Sequence, residues 1–288
     1  MSLVEQAMSR MRRPEGPDSR ERTDTLPPVA AAPAAESGVR VLIDVNSLRA
    51  RGYLPEEAKD REFAEHYRKI KRPLIRRALT TDGASVPVSP RAIMVTSALP
   101  GDGKTFTSIN LALSLARERD LSVLLVDTDL LKPHVSRIFG VQKEQGLLDA
   151  LVDQSLAIES LILTTNVQGL SILPAGSLVE GTAELLHSDR MLEIVTRLCD
   201  QDPRRIVLLD SPPMLLTSEA PALSTVAGQI VLVVRAGQTP THAIVDAVNM
   251  IDPSRAGGIV LNEAPVDLTR GYYYYGYGKY GDENSPKS

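Results

Sequence analysis

The sequence predicts an α/β protein built on a mostly parallel, doubly wound sheet with helices on both faces. Three observations carry that reading. Six short apolar runs rich in β-branched residues recur: 92–97, 122–127, 170–175, 205–210, 229–236 and 258–262. Helical stretches such as TFTSINLALSLARERD and TAELLHSDRMLEIVTRLC separate most of them. A glycine-rich turn joins the first run to the first of these helices. Strands without polar alternation are buried on both faces, and alternating them with helices gives a parallel sheet.

Taken in order, the chain opens with MSLVEQAMSRMRR, which lacks the uninterrupted apolar stretch of a signal peptide. Leu3, Val4, Ala7, Met8 and Met11 fall at helical spacing, so a short helix without assigned function is expected there. Residues 14–38 hold five prolines, an alanine run and scattered charges, a composition that cannot offset its ordering entropy and reads as a disordered linker over residues 1–40. VRVLIDV at 39–45 reads as a short strand. Residues 55–78 read as helical up to Pro73, with Arg68, Lys69, Lys71, Arg72, Arg76 and Arg77 packed together, and 41–84 as a helical oligomerisation or connector segment. Residues 85–265 form the α/β domain. Residues 266–288 are polar, lack apolar periodicity and form a tail holding Tyr272, Tyr273, Tyr274, Tyr275, Tyr277 and Tyr280.

Composition excludes several classes. The 288 residues are 43% hydrophobic, enough for a sizeable core, and carry a net charge of −4. Residues 1–90 carry 16 basic and 13 acidic groups while the remainder carries 16 and 23, so this is no uniformly basic nucleic-acid binder. The single Cys199 excludes a disulfide framework and fits a reducing compartment. His66, His134, His187 and His242 are scattered without metal-ligand spacing. No run of about 18 apolar residues exists to span a bilayer, and a cytoplasmic chain is expected.

The strongest local signal is Ser97-Ala98-Leu99-Pro100-Gly101-Asp102-Gly103-Lys104-Thr105, between an apolar strand and an amphipathic helix. That is the setting of a P-loop. Its glycines let successive N–H groups turn toward a phosphate, and the helix N-terminus adds partial positive charge. Lys104, expected to be partly exposed, reaches the β- and γ-phosphates, and the Thr105 hydroxyl ligates Mg²⁺. Ala98 replaces the first glycine of the common pattern. ATP and Mg²⁺ are therefore the expected cofactors. Two acidic strand ends supply carboxylates where ligands of parallel sheets collect: Val126-Asp127-Thr128-Asp129 and Leu209-Asp210-Ser211-Pro212.

SALPGDGKT, VLLVDTDLLKP and IVLLDSPP together resemble the catalytic domain of bacterial protein-tyrosine kinases, which use a P-loop NTPase fold. Gly146-Leu147-Leu148-Asp149-Ala150-Leu151 and the PAG…AELLHS stretch also match family segments, and the likeness covers roughly residues 62–282. It is greatest to the tyrosine autokinases of exosortase and exopolysaccharide gene clusters. The resemblance implies nucleotide contacts from Pro100, Gly101, Asp102, Gly103, Lys104, Thr105, Phe106 and Asn262, the last at a position that reads adenine in related ATPases. Asn262 as a plain strand-ending turn residue carries nearly equal weight. It implies catalytic roles for Lys104, Asp127, Asp129 and Asp210, metal ligation by Thr105, Asp129 and Asp210, and one of Asp127 and Asp129, with Asp127 favoured, as the base. Leu131 departs from the basic residue common in the family.

The family's E-x-x-R-x-x-R oligomerisation element is matched by Glu65 and Arg68, with Lys71 in place of the last arginine. At three-residue spacing the three are expected to share one helix face, implying self-association as a homo-oligomer or ring. The six tail tyrosines are the expected phosphoacceptors, used in trans. The resemblance further implies a membrane chain-length-determinant-type activator and a place at the inner membrane through that partner. Two other readings remain at this point. A partition or septum-site ATPase carries lysine five residues before the P-loop lysine, where this chain has Leu99. A nucleotide-gated scaffold of a polysaccharide assembly complex needs no turnover, and the Lys104, Asp127, Asp129 and Asp210 set argues against it.

Overall fold

The computed structural model describes residues 40–80, 88–178 and 181–264. The expected N-terminal helix, the linker and all six tail tyrosines lie outside the described residues. The described strands are β1 (Arg40–Val41), β2 (Ala92–Ser97), β3 (Ser122–Asp127), β4 (Leu163–Thr165), β5 (Leu170–Leu173), β6 (Arg205–Asp210), β7 (Gln229–Arg235) and β8 (Ala256–Asn262). They form one sheet in the order β1-β4-β5-β3-β6-β2-β7-β8. All neighbours are parallel except β4 and β5.

Successive residues of the central strands feed opposite cores, as a period of two requires. Ala92 and Met94 face one cluster with α5 (Leu147–Val152), α6 (Thr182–Leu186), α7 (Asp189–Asp200), α8 (Glu219–Val226) and α9 (Thr241–Asn249). Ile93 and Val95 face the other, with α1 (Val45–Ala50), α2 (Asp60–Leu79), α3 (Lys104–Leu115) and α4 (His134–Ile138). Every residue of β2 is buried. The expected doubly covered sheet is therefore the observed one.

Chain order places the site. β2 and β3, consecutive through α3, are separated in the sheet by β6. In their register Asp127 stands opposite Asp210, so two carboxylates end adjacent strands at one level. The crevice at such a strand-order switch is where parallel sheets collect ligands.

Four local expectations differ from the structure. The strand expected at 39–45 spans only Arg40–Val41, because Asp44 turns the chain and caps α1 by accepting from the Asn46 and Ser47 N–H groups. The polar LTT run forms β4, a strand the pattern did not announce. The expected helix over residues 182–199 breaks at His187–Ser188, where the Ser188 hydroxyl donates to the Leu185 carbonyl. And α2 continues through Pro73 to Leu79.

Burial of Tyr67, Lys71, Leu74 and Ala78 along one side of α2 holds the helix across the proline. A helix-interior proline lacks the N–H that would bond four residues back and costs up to about 3 kcal/mol. Pro73 is itself exposed. Replacing Pro73 with alanine is expected to raise stability by about 1–3 kcal/mol, read as a higher Tm; an unchanged or lower Tm refutes this account. Among the described residues no helix is long and apolar enough to cross a membrane.

Candidate active site

β2 ends at Ser97, and the chain then folds over the start of α3 to make the phosphate loop. Gly103 has φ +97°, a left-handed conformation that side chains resist. A Cβ there would lie 2.0 Å from Asn262 Nδ2. Asn262 ends β8, and its amide donates to the Asp102 carbonyl at 3.0 Å, so the last strand clasps the loop. The Asp102 carboxylate takes the Leu99 N–H at 3.0 Å and the Thr239 hydroxyl at 2.7 Å. Both its oxygens are thereby turned to neutral donors of the loop and of the β7–α9 connection.

Removing the Asn262 amide frees both the loop and the edge strand. Asn262→Ala is expected to raise KM for ATP several-fold with a smaller change in kcat, measured by initial rates at varied ATP. An unchanged KM would exclude a loop-holding role.

Lys104, the first residue of α3, is only 8% exposed. This corrects the expectation of a partly exposed lysine. Its ammonium pairs with Asp129 Oδ2 at 2.7 Å and lies 3.5 Å from Thr105 Oγ1. Burial pulls its pKa down, but the charges of Asp210, Asp129 and Asp127 outweigh that and hold it above the usual lysine value. Thr105 Oγ1 donates to Asp210 Oδ2 at 2.9 Å, and Ser108 Oγ donates to Asp210 Oδ1 at 2.8 Å. Asp210 is fully buried, and burial raises its pKa.

Asp127 is also fully buried. Burial, reinforced by the Asp210 charge, pushes its pKa up to about 7. Its Oδ2 accepts from the Ser136 N–H and hydroxyl, 2.7 Å each. Its Oδ1 is buried with no partner. A buried acceptor without a donor is uncommon and costly, and this one sits among the carboxylates around Lys104. An oxygen so placed can take a proton or a ligand.

The donor set fits Mg²⁺-nucleotide. Thr105 and Asp210 offer the hydroxyl and carboxylate oxygens that hard cations take, and Lys104 offers the point charge for phosphates. Among the described residues no three His, Cys, Asp or Glu side chains form a metal cage. Mg²⁺ in nucleotide sites is commonly held by one or two carboxylates together with phosphates. Asp129 Oδ2 is engaged by Lys104 in this arrangement, so it meets a metal only if that ion pair opens.

A cleft of about 700 Å³ lies beside these groups, with Asp127 and Asp210 buried beneath it rather than lining it. Lys104, Thr105, Phe106 and Asp129 line it together with Tyr53 and His134. Pro100, Gly101 and Gly103 also border it. Leu131 and Leu216 flank the opening at 52% and 60% exposure, large apolar side chains left facing solvent.

The structure thus brings Lys104, Thr105, Asp127, Asp129, Asp210 and Asn262 together. It does not bring Glu65, Arg68 and Lys71 to one face. At about 100° per residue, six positions turn a helix by about 600°, which leaves Glu65 and Lys71 about 120° apart around it. Glu65 and Arg68 pair with each other at the surface, whereas Lys71 turns inward and is 6% exposed. Its ammonium donates to the Ser114 carbonyl at 2.6 Å and pairs with Glu118 at 2.7 Å.

Ser108, Ser136, Thr239 and Tyr53 were not singled out in the sequence. Ser108 had a faint signal, a small hydroxyl one helical turn beyond Lys104. Ser136 had none.

Comparison with known proteins follows the same lines. Residues 90–256 match the family described as AAA domain. The chain is 33% identical over 195 residues to the tyrosine-protein kinase YwqD of Bacillus subtilis, covering 67% of this chain and 81% of that protein. It is 32% identical to the putative tyrosine-protein kinase EpsB of Ralstonia solanacearum, covering 66% of this chain but 24% of that longer protein. Among solved structures, the VpsO kinase domain superposes with a TM-score of 0.57 at 29% identity, covering 73% of this chain and all of that one.

Proposed function

We propose, because the chain belongs to the bacterial tyrosine-protein kinases, that it transfers the γ-phosphoryl group of Mg²⁺-ATP to tyrosines of its own C-terminal cluster on a neighbouring copy. The observation that carries this is the buried Asp127 carboxylate with its unpartnered Oδ1, in the group that also holds Lys104, Asp129 and Asp210. The phenol oxygen bonds to the γ-phosphorus as the bond to the β–γ bridging oxygen breaks, and Asp127 accepts the phenolic proton. Lys104 and Thr105 hold the phosphates and Mg²⁺, with Asp129 and Asp210 as the further carboxylates at the metal. Exposed Leu131 and Leu216 provide an apolar seat for an aromatic ring at the cleft mouth, which a plain ATPase does not need. Asn262, at the edge of the loop, is proposed to meet adenine.

Glu65 and Arg68 on exposed α2 are the proposed self-contact, and Lys71 supports that helix from beneath. A membrane chain-length-determinant-type protein is the proposed activator, within regulation of exopolysaccharide synthesis or export at the inner membrane. The Klebsiella pneumoniae relative is itself described as a putative tyrosine-protein kinase in a cps region.

Labelled ATP tests the core of this. The expected result is label on tyrosine, lost when Tyr272, Tyr273, Tyr274, Tyr275, Tyr277 and Tyr280 are changed to phenylalanine. Mixing that variant with a Lys104→Met chain should label the Lys104→Met chain, since the acceptor tail and the active site then lie on different copies. Free phosphate alone would make the protein an ATPase, and no label or phosphate would leave a scaffold.

A further inference from the structure

We infer that the exposed arginine row of α2 receives this chain's own C-terminal segment once its tyrosines carry phosphate, an inference that rests on the activity proposed above. Arg68, Arg72 and Arg76 stand four residues apart and are all exposed. Like charges at that spacing oppose helix formation. The helix dipole accounts for cations in the last turn, but not for a row that reaches two turns further back.

Arg68 is paired with Glu65. The side chains of Arg72 and Arg76 have no ion pair or hydrogen bond among the described residues. The neighbouring carboxylate, Glu118, is already taken by Lys71. Two guanidinium forks therefore stand side by side with their donors free, on a chain whose residues beyond 90 carry 16 basic and 23 acidic groups.

The spacing suits phosphotyrosine. Four residues of helix rise about 6 Å. Alternate residues of an extended strand lie about 6.6 Å apart on one side. Tyr273, Tyr275 and Tyr277 alternate in this way, so an extended segment can set three phosphates against three arginines. Each phosphate adds about −1.5 to −2 charges and three acceptor oxygens, and arginine binds such groups with two parallel hydrogen bonds.

The reach is sufficient. Arg77 donates to the carbonyls of Ala256 and Ser254, which fixes the C-terminal end of α2 beside the start of β8. β8 then runs about 20 Å to Asn262. The nine residues from Ala264 to Tyr273 span up to about 30 Å, enough to return along the strand to the row. Seated there, the segment covers Glu65 and Arg68, the proposed self-contact. Phosphorylation then releases a neighbouring copy by competition for α2.

The test uses the phosphatase-treated full-length chain and a synthetic peptide of residues 270–282 phosphorylated at Tyr273, Tyr275 and Tyr277. Anisotropy is expected to show saturable binding, at least tenfold weaker for the unphosphorylated peptide. The Arg72→Glu/Arg76→Glu double variant should also bind at least tenfold more weakly, with circular dichroism unchanged. Hydrogen exchange should slow over residues 68–79 of the wild type on binding. Equal binding by the double variant, equal binding of both peptides, or no binding overturns the inference. So does binding only to anionic phosphatidylglycerol vesicles, which would assign the row to a bilayer. The peptide is phosphorylated chemically, so a chain that never labels tyrosine from ATP would refute the proposed activity while leaving this measurement readable.

Discussion

Changing Lys104 to methionine is expected to lower tyrosine phosphorylation by about a hundred- to a thousandfold or more. Groups that neutralise charge developing in a transition state are worth that much when removed singly, and Lys104 is the cation aimed at the β- and γ-phosphates. The substitution should also be felt without nucleotide. The ammonium is buried beside Asp129 and balances Asp127 and Asp210 as well. Deleting one partner of a buried pair strands the other, at about 3–5 kcal/mol. The variant is therefore expected to unfold at a lower temperature than wild type, while its circular dichroism at 20–25 °C still reports the same sheet and helices. Label on tyrosine at the wild-type rate would remove Lys104 from the site.

Changing Gly146 to alanine is expected to cost about 3 kcal/mol or more and to slow catalysis. Gly146 precedes α5 and lies against the end of β5. A Cβ there would stand 2.1 Å from the Pro174 carbonyl oxygen and 2.6 Å from the Gly176 nitrogen. Both are backbone atoms, so the chain must separate rather than a side chain rotate. Separation strains the Leu147 N–H bond to Pro174 and the Leu148 N–H bond to Ala175, each 2.9 Å. It also moves Asp149, whose Oδ2 takes the Gly146 N–H at 2.8 Å and the Ser177 N–H at 3.2 Å. The effect reaches the site because the Ala175 N–H donates to Ser136 Oγ, and that hydroxyl donates to Asp127. A Tm lower by about 6–12 °C with a fall in kcat is expected. A stable variant of normal Tm would show that the two segments are not packed as described.

How much of this could be read from the chain depended on whether the cause was local. The strands β2, β3, β6 and β7 announce themselves because burial on both faces demands unbroken apolar runs. The glycine loop and the acidic strand ends were legible for a similar reason, since phosphate binding needs particular residue types at fixed spacing. The likeness between GLLDAL and PAG and their family counterparts was visible, but not that the two segments touch. β4, between the two-residue β1 and β5, was missed because three residues are too few to show an apolar pattern. Pro73 misled because packing of Tyr67, Lys71, Leu74 and Ala78 outweighs the loss of one donor. Lys71 and Lys104 both lie deeper than a lysine ordinarily does, and each is held there by carboxylates or carbonyls distant in sequence. Ser136 joins Asp127 only because α4 folds back over the end of β3, which a serine codon does not record.

The hydrogen bond between Asn262 and Asp102 joins residues 160 positions apart, and this separation bears on the order of events during synthesis. Contacts so distant in sequence form late and slow folding, since their loop must close before they contribute. Synthesis delivers the N-terminal part of a chain first. Residues 97–105 thus leave the ribosome long before the strand that clasps them. Full affinity for nucleotide is therefore expected only once β8 has joined the sheet. A nascent chain ending short of residue 262 contains the whole glycine-rich loop yet lacks the amide that fastens it.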